Sequence, residues 1–301
     1  MRVVKRLASF VVTPLLLVTM AIGLFLSIHN RWDFDLVIAC TLVLTVLYVH
    51  VFENIIPVKP QWGMVGEDLA PDIFHFIALI FFSVLGNIAA LSLTLHLHGW
   101  LGMELGFWNQ FAFIPLFIVA SVIGEFIPYW YHRISHIADI HSPVSLLLWR
   151  MHSIHHLPRN MNWRKTNWMH PINTFLNTFT KMFPLLFIGF SKDIVFAVGM
   201  MNLAVSYLSH ANILAYTGVL DYVIATPRVH HFHHSTKMAE AKNYANVLPL
   251  WDLVFGTYFN NGKEVDTVGL AEGTESEYPA ISAFGKQMQF PFRRWTAVRF
   301  S

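Results

Sequence analysis

Four long apolar runs separated by short polar breaks occupy the first 124 residues of the chain. They cover residues 8–28, 36–52, 73–103 and 107–124. An α-helix rises 1.5 Å per residue, so about 20 apolar residues cross a hydrocarbon core of about 30 Å. The third run is long enough to cross with a tilt. The pattern therefore predicts four membrane-spanning helices in this region.

The first run follows a basic segment that contains Arg2, Lys5 and Arg6, as the apolar part of a cleaved signal peptide would. The run is long and uncharged, however, and the sequence SIHNRWD around its end offers no cleavage site of the small-x-small type. We therefore predict that the first run is a membrane span.

Basic residues become frequent after the fourth run, which stops at Glu125. They are Arg133, Arg150, Arg159, Arg164, Lys165 and Lys181. By the positive-inside rule, which places Lys- and Arg-rich loops in the cytoplasm, this segment is predicted to be cytoplasmic. The basic N-terminus gives the same prediction, because four crossings return the chain to the side on which it began.

Two further apolar stretches, 183–190 and 194–213, are broken by the polar triplet Ser-Lys-Asp at 191–193. This pattern is typical of a re-entrant hairpin or a shallow pair of half-spans. After Asp221 the polarity is mixed and the chain ends in a soluble-looking tail.

The predicted fold is all-α, a multispanning membrane helical bundle with a cytoplasmic, histidine-rich metal-binding cap. Since no repeat or long linker divides the chain, we expect one integrated domain. Residues 1–124 would supply transmembrane helices, 125–260 the catalytic region and 261–301 the C-terminal tail. The final TAVRFS carries no recognised retention signal, so a bacterial inner membrane and the endoplasmic reticulum remain alternatives.

Composition supports a membrane protein and narrows its chemistry. The 301 residues are 55% hydrophobic and only 13% charged, with 26 Phe, which gives more apolar surface than a water-facing protein carries. The net charge of +2 and the lack of a basic stripe argue against nucleic acid as a partner. Cys40 is the one cysteine, which excludes an intrachain disulfide, cysteine-ligated zinc and an iron–sulfur cluster.

Histidine is the unusual residue of this chain, because 12 of the 17 histidines lie between positions 132 and 234. Three clusters, HRISH, HSIHH and HHFHH, repeat spacings that place imidazoles on one face of a helix. Their histidines are His132 and His136, then His152, His155 and His156, then His230, His233 and His234. Eight imidazoles exceed the demand of one four-coordinate zinc and suit two metals.

Imidazole binds iron, zinc, copper and nickel, so the ligand type alone does not name the metal. Iron can change oxidation state and so reduce O2, whereas zinc cannot. Because the clusters adjoin membrane spans, the accessible substrates are hydrocarbon chains or fused rings. Removing hydrogen from such carbon needs an oxidant, which favours iron.

The other histidines give weaker signals. His141 and His231 lie off the repeated faces, and those in the apolar runs are typical of interfacial or hydrogen-bonded intramembrane residues: His29, His50, His75, His96 and His98. His170 precedes Pro171, and His210 closes a largely apolar helix. An ionisable residue facing a bundle interior suggests function, so both stay candidates and His210 is included among the ligands.

The stretches YWYHRISH, LWRMHSIHH and TPRVHHFHHS resemble the histidine boxes of the fatty acid hydroxylase and sterol desaturase superfamily of membrane di-iron enzymes. The Asn243-Tyr244 pair and WDLVFGTY at 251–258 are similar to segments that follow the last box in that family. The resemblance covers about residues 125–258. The chain departs from the family pattern at Asn173, Ser206 and Ala245.

The resemblance implies a histidine cap that holds two irons and activates O2 to hydroxylate or desaturate a lipid, with zinc as an isolated or substituted form. The implied ligands are His132, His136, His152, His155, His156, His210, His230, His233 and His234. His210 matches a family histidine in an H-x-N setting with Asn212. Residues expected to support the ligands are Glu125, Asn212, Glu240 and Asp252.

A separate electron donor is also implied, either cytochrome b5-like or a ferredoxin with its reductase. Arg159, Arg164 and Lys165 are a candidate docking surface for it. Fatty acyl, sterol, sphingoid and alkylglycerol substrates all fit a site beside lipid, and we favour hydroxylation over desaturation. The alternatives are a histidine-lined metal transporter or sensor and a zinc-dependent membrane hydrolase, which would need a pathway across the bilayer and a catalytic carboxylate respectively.

Overall fold

The fold is a bundle of long helices that carries a cap of short helices and loops at one end. The computed structural model describes residues 2–63, 69–103, 106–137 and 141–293, so the terminal TAVRFS lies outside the described residues. Within these ranges the chain is helical, with one isolated β-bridge between Ser235 and Val268. The predicted all-α class is confirmed.

Within the described ranges, four helices are long and apolar enough to cross a membrane. They are α1 (Arg2–His29), α2 (Phe34–Ile55), α3 (Leu69–Leu101) and α4 (Phe113–Ile137). Large apolar side chains such as Leu44 and Phe81 are exposed on their outer surfaces. Four spans were predicted, and four candidate helices are found in the predicted order.

The fourth helix differs from its prediction at both ends. Residues Phe107–Gln110 form a separate 3-10 turn, and α4 continues past Glu125 to Ile137. The charge of Glu125 does not end the helix because its carboxylate is buried and lies 2.6 Å from Nζ of Lys181. The apolar run ends at Glu125 but the helix does not, and the continuous helix brings HRISH directly onto the end of the bundle.

Helices α6 (Pro171–Ile188) and α7 (Lys192–His210) form a hairpin inside the bundle. The break predicted near 191 is present and turns at Gly189, whose φ of +86° favours glycine. Close packing of α6 on α3 requires another glycine, since a Cβ on Gly86 would lie 2.9 Å from the carbonyl oxygen of Phe175. The His98 ring, one turn from the end of α3, contacts the Phe187 carbonyl oxygen at 2.8 Å. The hairpin, one of the two predicted alternatives, is thus present and runs alongside α3.

The cap consists of the remaining short helices and their connections. The helices are α5 (Pro143–His152), α8 (Pro227–His233), α9 (Leu250–Val254) and α10 (Phe284–Gln289). A hydrophobic cluster that includes Val12, Val49 and Leu208 joins α1, α2 and α7 just below the cap. The ends of α4 and α7 therefore enter the cap from the bundle.

The C-terminal segment 261–293 packs into the cap and is not the soluble-looking tail that was predicted. Leu270, Tyr278 and Phe290 are buried against Ile154 and Trp168. Apolar residues that looked unremarkable in a mixed-polarity region supply this contact, which joins the segment to the HSIHH box.

Several basic residues have structural partners within the bundle. Arg164 and Lys165 are buried and both pair with Asp72, at 2.7 Å and 2.9 Å, so their prediction as a docking surface was wrong. Arg159 is exposed and lies 3.3 Å from Glu275. Because Lys181 is buried as well, half of the six basic residues between positions 125 and 181 do not face an aqueous phase.

Candidate metal centre

The three histidine boxes lie at the ends of three different helices. His132 and His136 occupy the last turns of α4, and α8 carries HHFHH with His234 as its C-terminal cap. The HSIHH box was predicted to be one helical face, but α5 ends at His152. The next histidines lie in tight turns, in which the backbone N–H of His155 donates to the His152 carbonyl at 2.9 Å.

Eight of the nine predicted ligands form two groups of four, each with its candidate ligand atoms within 4.8 Å of one another. The first histidine group is His132, His136, His152 and His233. The second histidine group is His155, His210, His230 and His234. Each group thus combines residues that are distant in sequence, and His210 joins from the end of α7.

His156, the ninth residue, lies between the two groups. Its Nε2 is 3.1 Å from Nε2 of His152 in the first group. Its ring centroid is 4.5 Å from that of His234 in the second group and 4.9 Å from that of His136. All nine side chains are therefore brought together, with His156 adjoining both groups.

Backbone carbonyls fix which ring nitrogen carries the proton in four of these histidines. A carbonyl oxygen only accepts, so each Nδ1 that contacts one carries the hydrogen and each Nε2 keeps a lone pair. The contacts are His132 to Tyr244 at 2.6 Å, His155 to Trp168 at 2.9 Å, His210 to Ser206 at 2.8 Å and His233 to Lys242 at 3.0 Å.

The resulting lone pairs face one another, which fits a bound cation. Nε2 of His155 and Nε2 of His210 are 3.1 Å apart, yet neither carries a hydrogen to donate to the other. Metal–imidazole bonds of about 2.0–2.1 Å place two nitrogens of a tetrahedral site about 3.3 Å apart. Nε2 of His136 and Nε2 of His233 are also buried without a hydrogen-bond partner. A metal in each group would satisfy these nitrogens.

Burial keeps the imidazoles in the form that binds metal. It lowers the pKa of His155 to about 4, mainly by removing water from the charged form. The same cause, reinforced by neighbouring histidines, places the pKa of His156, His233 and His234 well below the ordinary value. These rings are therefore neutral near pH 7, as coordination requires.

The remaining candidate histidines lie outside the two groups. Nδ1 of His170 accepts from the N–H of Ile172 at 3.2 Å and caps α6. His231 points away, with Nε2 at 3.1 Å from the Ala211 carbonyl oxygen. His141 is exposed at the turn before α5. Of the five histidines in the apolar runs, His75 and His98 make buried hydrogen bonds.

Asp252 supports the first group through the backbone. Its carboxylate accepts from the N–H groups of Tyr244 and Ala245 at 2.8 Å and 2.9 Å, and the Tyr244 carbonyl in turn holds His132. Asn243, which adopts a positive φ of 63°, uses its side-chain amide to bridge the Val229 carbonyl and the backbone of Phe259. These contacts give the Asn-Tyr and WDLVFGTY motifs a physical role.

The other predicted supporting residues act further from the rings. Glu125 accepts from the N–H groups of Asn246 and Val247 at 3.1 Å and 2.9 Å. Glu240 accepts from the hydroxyl of Ser235 at 3.0 Å, next to His234. The Asn212 side chain binds the backbone of Lys59 instead of a ligand.

Two supporting residues were missed by the sequence analysis. The side-chain amide of Asn173 lies 3.2 Å from Nδ1 of His152, although the sequence flagged Asn173 only as a departure from a family pattern. Asp72 accepts from Nε1 of Trp168 at 2.5 Å and so steadies the carbonyl that holds His155. An acidic residue at the start of an apolar run is a signal that could have found Asp72.

Comparisons with known proteins agree with this geometry. Residues 117–257 match a family model described as fatty acid hydroxylase. The chain is 28% identical to ornithine lipid hydroxylase OlsE of Rhizobium tropici over 229 residues, which are 72% of this chain and 65% of the relative. It is 31% identical to human (Homo sapiens) alkylglycerol monooxygenase over 139 residues, 46% of this chain and 29% of the relative.

A zebrafish (Danio rerio) alkylglycerol monooxygenase is 30% identical over 160 residues, which are 50% of this chain and 34% of the relative. The matches thus cover less than two thirds of each of these three relatives. The comparison with solved structures gives no significant match.

Proposed function

We propose that the protein is a membrane-bound di-iron enzyme that hydroxylates a lipid with O2, because residues 117–257 match the fatty acid hydroxylase family model. The observation that carries the proposal is the pair of four-histidine groups adjoined by His156. Two neighbouring metal sites of this kind suit the two-electron activation of O2 better than one closed structural site does.

The chemistry of the donor set favours iron. Both groups consist of imidazole nitrogens, which bind iron as well as zinc. Hydroxylation converts a C–H bond, O2, two electrons and two protons into a C–OH group and water. Bound iron would supply the redox change that this balance requires, whereas zinc would be an isolated or substituted form.

The residues of the chain orient the metals and limit access of water. Carbonyl contacts at Nδ1 hold His132, His155, His210 and His233 with Nε2 turned inwards, so the ligand geometry is set before a metal binds. His233 and His156 are 0% and 3% exposed, which excludes bulk water that would compete with oxidation of carbon. The centre also lies where α4 and α7 leave the apolar bundle, and a lipid substrate can approach from that side.

The relatives bear on the substrate and on the type of reaction. Their names describe hydroxylation of an ornithine lipid and monooxygenation of an alkylglycerol. Both insert oxygen and both act on a lipid with a polar head group. For this chain we therefore favour hydroxylation over desaturation, and a polar membrane lipid over a free sterol or fatty acid.

The membrane topology and the partners complete the proposal. Residues 1–124 supply spans and 125–260 the catalytic region, with the N-terminus and cap in the cytoplasm. Lys5 and Arg6 at the start of α1, and Arg133 and Arg159 on the cap, support this orientation. A separate donor, cytochrome b5-like or a ferredoxin with its reductase, would deliver the two electrons.

The test begins with anaerobically purified protein in detergent. About two irons per chain are expected, one for each histidine group. Lipids from expressing cells are then compared with those from cells that express His155→Ala. A product heavier by one oxygen, present only with the parent protein, supports hydroxylation. A product lighter by two hydrogens would support desaturation, and metal binding without O2 consumption for any lipid and donor would contradict an oxygenase.

A further inference from the structure

A chain of contacts connects the second histidine group to a residue that lies outside the region matched by the family model. Gln287 of α10 is fully buried and follows residues 117–257 by a long stretch of chain. Its side-chain Nε2 donates to the carbonyl oxygens of Ala280 and Ile281, at 3.0 Å and 2.8 Å. Both amide hydrogens are thereby used, so the orientation of the amide is fixed and Oε1 points away from this loop.

Oε1 of Gln287 meets His75 of α3. The two atoms, Oε1 and Nε2 of His75, are 2.8 Å apart, and an amide oxygen only accepts, so the imidazole donates this bond. His75 is 0% exposed, and because the hydrogen of the neutral ring lies on Nε2, the approach of Nδ1 to the Met169 carbonyl oxygen at 3.3 Å is a contact without a hydrogen bond. The hydrogen bond that His75 donates to Gln287 therefore sets the plane of this buried ring.

That ring supports the indole of Trp168. The centroids of His75 and Trp168 are 4.6 Å apart and their planes differ by 25°, which is a stacked arrangement. Two further contacts hold the indole. Asp72 accepts from its Nε1, and Nζ of Lys165 lies 4.5 Å from the ring centroid. Trp168 is itself 0% exposed, so it cannot shift without moving its neighbours.

The backbone of Trp168 reaches the metal centre directly. Its carbonyl oxygen accepts from Nδ1 of His155 at 2.9 Å and so turns Nε2 of His155 towards His210. We infer that Gln287 is a positioning residue for the second histidine group, acting through His75 and Trp168 on His155. The inference rests on the proposed metal centre but not on the reaction it performs.

The first histidine group provides an internal reference. His132 and His233 are held by the carbonyls of Tyr244 and Lys242, and neither contact involves Gln287, His75 or Trp168. Loss of the Gln287 hydrogen bond should therefore weaken one metal site of the same molecule and spare the other. General damage to the fold would weaken both.

The experiment titrates cobalt(II) into the metal-free, full-length protein in detergent and follows its absorption bands. The parent protein should bind two cobalt ions. Gln287→Leu should retain one site and weaken the second by about 10–100-fold, the range found when residues that support metal ligands are changed. The matched control is Gln289→Leu, two residues along on an exposed position of α10, which should retain both sites.

A second variant tests whether Gln287 acts through His75, and it replaces Gln287→Leu if that variant accumulates poorly. His75→Phe keeps a ring against Trp168 but removes the N–H that Gln287 accepts, so it should also weaken the second site. Adding Gln287→Leu to His75→Phe should cause little further loss, because the two changes break one interaction. Full additivity, equal loss at both sites, or two unchanged sites in Gln287→Leu would each overturn the inference.

The outcomes also separate the inference from the proposed function. Selective loss of one cobalt site with no hydroxylated lipid from any substrate would leave Gln287 as a positioning residue in a centre of different chemistry. Conversely, lipid hydroxylation by the parent with two unchanged cobalt sites in Gln287→Leu would retain the proposed function and reject the role of Gln287.

Discussion

The two histidine groups contain the same kind of ligand but are supported in different ways. The first group is held largely from within residues 117–257, by the Tyr244 carbonyl that Asp252 steadies and by Asn173. In the second group, His155 is held by the Trp168 carbonyl, which is supported by Asp72 and His75 of α3 and so by the membrane bundle. Similar ligand geometry can therefore be stabilised by a local motif or by long-range packing.

The largest effect is expected from His155→Ala, which removes a ligand of the second group. A centre that needs two metals should lose turnover to background and retain about one metal per chain, since the first group keeps its four histidines. Metal analysis and a lipid hydroxylation assay check this result. His96→Ala, at an exposed position of α3, should retain both metals and full activity. Normal activity of His155→Ala would remove His155 from the ligand set.

Asp72→Asn is expected to destabilise the fold and the second group together. The change removes the buried negative charge that pairs with Arg164 and Lys165, and breaking a buried ion pair in this way costs about 3–5 kcal/mol. The unfolding temperature in detergent should fall, and the second metal should be lost before the first. Asp35→Asn, an exposed change in the first turn of α2, is the control and should leave the unfolding temperature unchanged.

Asp252→Ala should weaken metal binding at the first histidine group and leave the second unaffected, the reverse of the order expected for Asp72→Asn. The N–H groups of Tyr244 and Ala245 lose their acceptor, so the carbonyl that holds His132 is no longer fixed. Affinity at the first group should fall by about 10–100-fold while the second group is unaffected. Cobalt titration measures both sites, with the exposed Asp266→Ala as control. Equal weakening of both sites would show that the groups do not have separate supports.

The smallest effect is expected from Tyr278→Phe. The Tyr278 hydroxyl accepts from Nε1 of Trp149 at 3.0 Å, and the Trp149 ring centroid lies 5.3 Å from that of His136. Losing one hydrogen bond while the aromatic packing is kept should cost about 0.5–1.5 kcal/mol. Thermal unfolding should register this decrease, and both metal sites should remain. Loss of a metal in this variant would show that the C-terminal segment also supports the first histidine group.

The sequence predicted the parts of this molecule that depend on local patterns. Apolar runs are long and continuous, so α1, α2 and α3 were found with modest errors at their ends. The spacing of the histidine boxes also identified side chains that meet in space. His210 was found because an ionisable residue closes an otherwise apolar helix.

The sequence failed where the outcome depends on a distant partner. Arg164 and Lys165 look like surface charges until Asp72, more than ninety residues earlier, is brought beside them. The chain likewise continues as a helix through Glu125 because Lys181 arrives from α6. The role of the C-terminal segment was missed for the same reason, since Leu270 and Phe290 have no periodic pattern that would mark them as core residues.

The position of Gln287 in the chain has a consequence for how the protein is made. Polypeptides emerge and fold from the N-terminus. All nine histidines, ending with His234, are therefore synthesised before Gln287, whereas Asp252 follows His234 closely. The nascent chain therefore contains all the ligands of the second metal site before the C-terminal segment that supports this site has been synthesised. Metal captured in that interval would be held less firmly at the second site than at the first, so maturation of the centre would finish with docking of the C-terminal segment.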